Sequence, residues 1–96
     1  DVSGVVYKNT DYLLCLDDRL DSRKIAFILY LSTLKKKDGG ALAFYSDRNK
    51  HPYKKYVQNY PTKNSLMIFR VSRKSWHEVE EVLTDKERHS IGGWLH

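Results

Sequence analysis

Seven apolar residues stand in one unbroken run, Ile25-Ala-Phe-Ile-Leu-Tyr-Leu31, preceded by Arg23 and Lys24 and followed by a polar, lysine-rich stretch. Its β-branched and aromatic members favour an extended backbone over a short helix. The run is far below the roughly 20 residues needed to cross a bilayer. Apolar on both faces, it predicts a buried strand, and the fold has to supply cover for it.

Other segments read the same way. Tyr12 to Leu16, "ALAFYS" (residues 41 to 46), "SLMIFRV" (65 to 71) and the closing "HSIGGWLH" (89 to 96) are strand-like. "STLKKKDGG" is a polar loop in which Gly39 and Gly40 supply the positive φ values of a tight turn. Asp47 to Asn64 carries both prolines and much of the positive charge. It predicts a long loop with at most one short strand, of the kind on which function often lives. "SRKS" and "TDKER" are turns, and "WHEVEEVL" between them suits either a strand or a helix. The sum is six or seven short strands and no strong helix, hence an all-β sandwich or open barrel.

A chain of 96 residues makes one domain, 1 to 96, with no room for a second. It begins Asp-Val-Ser-Gly without an initiator Met, as expected for a piece of a longer polypeptide. Hydrophobic residues at 41% against 30% charged exclude a disordered chain. The lone Cys15 cannot close an internal disulfide and points to a reducing compartment, cytoplasm or nucleus. A net charge of +5 suits an anionic partner without selecting one.

The histidines and acidic residues raise a metal reading. His51, in the basic stretch, and His96, at the end, read as solvated surface residues. The segment "WHEVEEV" fails the H-E-x-x-H zinc pattern because Glu81 occupies the second histidine's place. Taken singly, Asp17 and Asp18 read as a solvated turn, His77 as a satisfied histidine beside Trp76, Arg88 as a surface partner of Glu87 or Asp85, and Tyr30 as a core aromatic. Their order carries more: Asp18, then His77 fifty-nine residues on, then Arg88 eleven further. Carboxylate and imidazole suit iron(II), and a guanidinium fork grips a carboxylate with two parallel hydrogen bonds.

In that order, "YLLCLDDRLDSRKIAFILYL", "GGALAFY", "SWHEVEEV" and "RHSIGGWLH" resemble consecutive blocks of the iron(II)/2-oxoglutarate prolyl hydroxylases that act on a small-subunit ribosomal protein. This family includes the yeast termination and polyadenylation protein and its animal relatives, and the resemblance covers nearly the whole chain. It implies a double-stranded β-helix, a jelly-roll-like barrel of eight strands. It also implies Fe(II), 2-oxoglutarate, O2 and ascorbate as requirements, and prolyl hydroxylation of a proline-containing, ribosomal protein substrate. By the same resemblance Asp18 and His77 are metal ligands, and Arg88 is the partner of the 2-oxoglutarate C5 carboxylate. Tyr30 and Tyr7 attend the co-substrate, and Ser90 shares a side with Arg88.

Leu16 departs from the family pattern, which has the first histidine of the metal triad two residues before the ligand aspartate. Leucine has no lone pair, Cys15 would face the other way on a strand, and His89 should point away from Arg88. The expected consequence is weak iron binding and little turnover, with the 2-oxoglutarate pocket retained. Leu16 also motivates an alternative, a catalytically inactive family member acting as a protein-binding module. A nucleic-acid-binding domain using Tyr56 and Tyr60 is the weakest reading, because the basic residues are scattered. No membrane association is expected.

Overall fold

The computed structural model describes residues 2–8, 13–16, 24–72 and 75–95, with the side chains of Val2 and of residues 13–16 left aside. Eight strands follow one another: β1 (Val2–Tyr7), β2 (Leu13–Leu16), β3 (Ile25–Tyr30), β4 (Leu42–Arg48), β5 (His51–Asn59), β6 (Leu66–Arg70), β7 (Trp76–Val79) and β8 (Arg88–Leu95). A 3-10 turn, Lys36–Asp38, precedes β4. Among the described residues no helix is long and apolar enough to cross a membrane.

The strands form two four-stranded sheets, β1-β8-β3-β6 and β2-β7-β4-β5, and every pairing is antiparallel. Apart from the β4–β5 hairpin, successive strands alternate between the sheets, so each sheet is assembled from distant parts of the chain and the inner faces enclose a common core. Leu42, Phe44 and Val79 of the second sheet are its buried centre, with Tyr7, Ile28, Met67 and Phe69 of the first packed against them. Phe44 and Phe69 meet edge to face at 4.9 Å between ring centres, joining the sheets.

The run at β3 lies within the first sheet but is not wholly buried. Ala26 and Tyr30 face inward and are buried, whereas Phe27 and Leu29 on the other face are half-buried and Ile25 is exposed. The outer face of this sheet also shows Leu66, Ile68 and Leu95 to solvent. The outer face of the second sheet is polar instead: Tyr45 bonds Glu78, Lys55 and Gln58 bond Glu80, and the Trp76 indole N–H donates to Asp47 at 2.9 Å.

Two expectations are corrected. The stretch from Asp47 to Asn64 is not a long loop: β4 and β5 form a hairpin closed by Asn49 and Lys50, both at positive φ (53° and 67°). Two successive positive φ values give the turn whose twist suits a two-residue hairpin, and Asn tolerates that region. β5 escapes the strand pattern because it is an edge strand, exposed from His51 to Gln58, so no alternation of apolar residues is imposed on it. Its proline and lysines are usual at an edge, where half the backbone groups need no ladder partner. The strand β1 lies in "VSGVVY", a segment not expected to form one, and it completes the first sheet beside β8. "WHEVEEVL" resolves as strand β7 followed by a bridge of Val82 to Gly39.

Candidate functional site

Arg88 opens β8, an inner strand that pairs with both β1 and β3. Alternate residues of a strand share a face, so Arg88 and Ser90 both turn inward and are buried, while His89 turns outward to Glu87 at 2.9 Å. The ladders then fix the neighbours: Tyr7 of β1 lies opposite Arg88, and Tyr30 of β3 lies opposite Ser90. Register alone therefore brings Tyr7, Tyr30, Arg88 and Ser90 together from three separate parts of the sequence.

The Arg88 side chain is 1% exposed, and its Nε donates to the Gly40 carbonyl at 2.8 Å. The rings of Tyr7 and Tyr30 each lie 5.3 Å from the guanidinium carbon. Two buried atoms in this cluster, Arg88 Nη2 and the Tyr30 hydroxyl, have no hydrogen-bond partner among the described residues. Burial pushes the guanidinium pKa down, opposed by Tyr30 and Tyr7. Burial likewise pushes the phenol up, opposed by Arg88, so Tyr30 is a neutral donor. A buried cation and a buried hydroxyl left unpaired are costly, and an anion placed between them removes that cost. The pair suits a carboxylate.

The turn that presents Gly40 is set by its sequence. Gly39 and Gly40 adopt φ of 69° and 74°, as expected from the Gly-Gly pair. A Cβ at Gly39 would stand 2.2 Å from the Glu81 carbonyl oxygen, so only glycine fits there. Asp38 is buried and accepts from the Lys35 amide at 2.8 Å and from Lys86 Nζ at 3.3 Å.

His77 belongs to β7, in the second sheet, and is buried between Phe69 (5.1 Å) and Phe44 (5.9 Å). Ser75 is fixed by reciprocal bonds with Ser72, and its carbonyl lies 2.8 Å from His77 Nδ1. A carbonyl only accepts, so Nδ1 carries the proton and the lone pair sits on Nε2. Such an orienting bond is the usual support of a metal-binding imidazole.

A cavity of about 300 Å³, within the usual range for small ligands, lies between the sheets. Tyr7, Arg88, Ser90 and Trp94 line it from the first sheet, and His77, Leu42 and Val79 from the second. Tyr30 is not on its wall; it stands against the guanidinium. Sequence reasoning missed the Gly40 carbonyl, a backbone group that no residue type signals. It also missed Gly92 and Trp94, which the two-residue period from Arg88 and Ser90 could have found.

Asp17 and Asp18 lie outside the described residues, as does His96, while His51 is exposed as expected. Among the described residues no group of three His, Cys, Asp or Glu side chains could hold a metal. The ladder places Leu16 directly across from His77, with Phe44 on its other side. The anion end of the cavity thus fits a carboxylate co-substrate. The metal end does not fit a three-residue protein ligand set, because the position beside His77 carries a leucine.

The family model described as the 2OG-Fe(II) oxygenase superfamily matches residues 2–96. The chain is 48% identical over its whole length to a prolyl 3-hydroxylase OGFOD1 of Xenopus laevis, covering 19% of that protein. It is 41% identical, again over its whole length, to a prolyl 3,4-dihydroxylase OGFOD1 of Ostreococcus tauri, covering 20%. The chain therefore spans about a fifth of these relatives. Among solved structures, a Pseudomonas putida prolyl-4-hydroxylase superposes with a TM-score of 0.76 at 23% identity, covering 99% of this chain and 51% of that one. A Trichoplax adhaerens prolyl hydroxylase in complex with a hypoxia inducible factor peptide fragment gives 0.77 at 22%, covering 97% and 41%. These structural likenesses show the fold, the double-stranded β-helix expected from the sequence. With the family model matching from residue 2 to residue 96, the chain belongs to the 2OG-Fe(II) oxygenase superfamily.

Proposed function

We propose that this chain is the co-substrate-binding core of a protein prolyl hydroxylase, with Arg88 holding the C5 carboxylate of 2-oxoglutarate. The observation that carries the reading is the buried, unpartnered Nη2 of Arg88, a residue on the wall of a cavity between the sheets, with the unpartnered Tyr30 hydroxyl on the ring that stands against the guanidinium. Tyr7 and Ser90 flank the guanidinium, and the Gly40 carbonyl holds its Nε, which orients the remaining N–H groups. In the superfamily's reaction, iron(II), 2-oxoglutarate and O2 together supply the oxidising chemistry. Here His77 and Asp18 are the residues assigned to the metal. Leu16 removes a third ligand, which accounts for a proposed low turnover.

The proposed substrate is a proline-containing protein, in line with the names of the relatives, and a ribosomal protein is the narrower choice. Ascorbate as an ancillary reductant, a single domain over residues 1–96 and residence in the cytoplasm or nucleus belong to the same proposal. A second reading, a non-catalytic protein-binding module, rests on Leu16 alone. Succinate release and proline hydroxylation, measured for the protein and for Leu16→His, separate the two. Slow turnover raised at least about tenfold by the histidine supports the enzyme. No succinate from either protein leaves the binding module.

A further inference from the structure

The two ends of the cavity make unequal demands on a metal. At the first, the guanidinium is positioned by the protein alone: Gly40 O accepts its Nε at 2.8 Å, and the Gly40 amide is itself tied to Glu81 O at 3.1 Å. The anion site is therefore formed before any ligand or metal arrives. At the second, the ladder sets His77 between positions 16 and 44, occupied by a leucine and a phenylalanine. Neither residue type supplies a lone pair, and Leu42, Val79 and Phe69 line the cavity near His77 with apolar surface. A metal that is weakly held cannot add its chelate energy to the 2-oxo acid end of a ligand. That end then rests against one imidazole and apolar surface.

We propose that this site binds short dicarboxylates through Arg88 without a metal ion, and that it does not distinguish 2-oxoglutarate from analogues lacking the 2-oxo group. Glutarate and succinate are then ligands on an equal footing with 2-oxoglutarate. This rests on the reading of Arg88 as the carboxylate anchor, and goes beyond it in separating that anchor from the metal.

Titration calorimetry tests it, with 2-oxoglutarate and glutarate as ligands, in EDTA and in Mn(II), a redox-inert stand-in for iron(II). In the unaltered protein, Mn(II) is expected to change 2-oxoglutarate affinity less than about twofold, and glutarate to bind within about threefold of it. In Leu16→His, Mn(II) is expected to tighten 2-oxoglutarate by about tenfold or more while leaving glutarate unchanged. A tenfold or larger Mn(II) effect in the unaltered protein overturns the proposal, since another residue then completes the metal site. Indifference to Mn(II) in Leu16→His overturns the role given to position 16. If no dicarboxylate binds, or if Arg88→Met binds as well as the unaltered protein, the anchor reading itself fails, and the proposal with it.

Discussion

At the Arg88 end of the cavity the groups proposed to bind an anion are set by the ladders of β1, β8 and β3 and by one backbone carbonyl, whereas at the His77 end the ladder position across from His77 is a leucine. The first end belongs to one sheet and the second to the other. Tyr7, Tyr30 and Ser90 are ladder neighbours of β8, while positions 16 and 44 are ladder neighbours of β7. No hydrogen-bonded ladder joins the two sets among the described residues. A substitution at position 16 can thus change the residue across from His77 without moving the register that gathers Tyr7, Tyr30, Arg88 and Ser90. In the proposed reading, carboxylate binding and metal binding share a cavity but belong to separable parts of the fold.

The largest expected effect breaks the stronger end. Arg88→Met keeps much of the stem's volume and deletes the charge, so dicarboxylate affinity should fall by about a hundredfold or more, since a charged hydrogen-bonding anchor contributes ~3 kcal/mol. Stability should move little in the ligand-free protein. The guanidinium is buried with Nη2 unpartnered, so its deletion removes a desolvated charge and offsets the hydrogen bond lost at the Gly40 carbonyl. Thermal melts with and without 2-oxoglutarate read both effects. A collapse of the ligand-free melt would show that the guanidinium is structural first.

Next in size is Gly40→Ala. At φ 74° an L side chain is strained, and its Cβ would stand 2.8 Å from Leu34 Cδ1 and 3.3 Å from Arg88 Cδ. The strain costs ~1–2 kcal/mol, and relieving the contact displaces the arginine stem. Affinity for 2-oxoglutarate should drop about tenfold, consistent with a displaced charged hydrogen bond. The His77 end should be untouched, so the Mn(II) gain of Leu16→His should survive in the double variant. Its loss would mean that the two ends are coupled after all.

The same division explains what the sequence made legible. The strands carrying "SLMIFRV" and "HSIGGWLH" stand close to where their composition placed them, because β6 turns Met67 and Phe69 to the core and β8 is paired on both sides. "HPYKKYVQN" hid its strand because an edge position imposes no pattern on its side chains. "VSGVVY" went unread as a strand although it pairs with β8 along six residues. Of the site, Arg88, Ser90, Tyr30 and Tyr7 were nameable and the structure gathers them. His77 was nameable too, but what orients it is the Ser75 carbonyl, and what orients Arg88 is the Gly40 carbonyl. Backbone groups have no letter of their own, so half of the support for both side chains was silent.

Tyr30→Phe should act with opposite signs on the two states. The hydroxyl is buried without a partner, a situation that costs ~1 kcal/mol or more, so its removal should leave the ligand-free protein as stable or slightly more stable. With a carboxylate bound, the same deletion forfeits a hydrogen bond worth ~1 kcal/mol, about a fivefold loss of affinity. Equilibrium unfolding and calorimetry on one variant check both halves. Destabilisation of the ligand-free protein together with unchanged affinity would place the hydroxyl in the core rather than the site.

The smallest effect concerns the turn beneath Gly40. The Lys35 amide, and after it Lys86, hold the Asp38 carboxyl below its ordinary range, with burial opposing them. A carboxylate with a folded pKa below its unfolded one adds stability that is present above the unfolded value and is lost as pH falls through the folded one. Acidification should therefore loosen this turn before it affects the ladders. Asp38→Asn keeps an oxygen for the Lys35 amide and removes the titration, so its melting temperature should fall less between pH 7 and pH 3 than that of the unaltered protein. Because Gly40 lies two residues on, 2-oxoglutarate affinity in the unaltered protein should weaken over the same interval beyond what ligand protonation explains, and less so in Asp38→Asn. Identical pH profiles for the two proteins would detach Asp38 from the Arg88 end and leave Gly40 held by its own amide bond to Glu81.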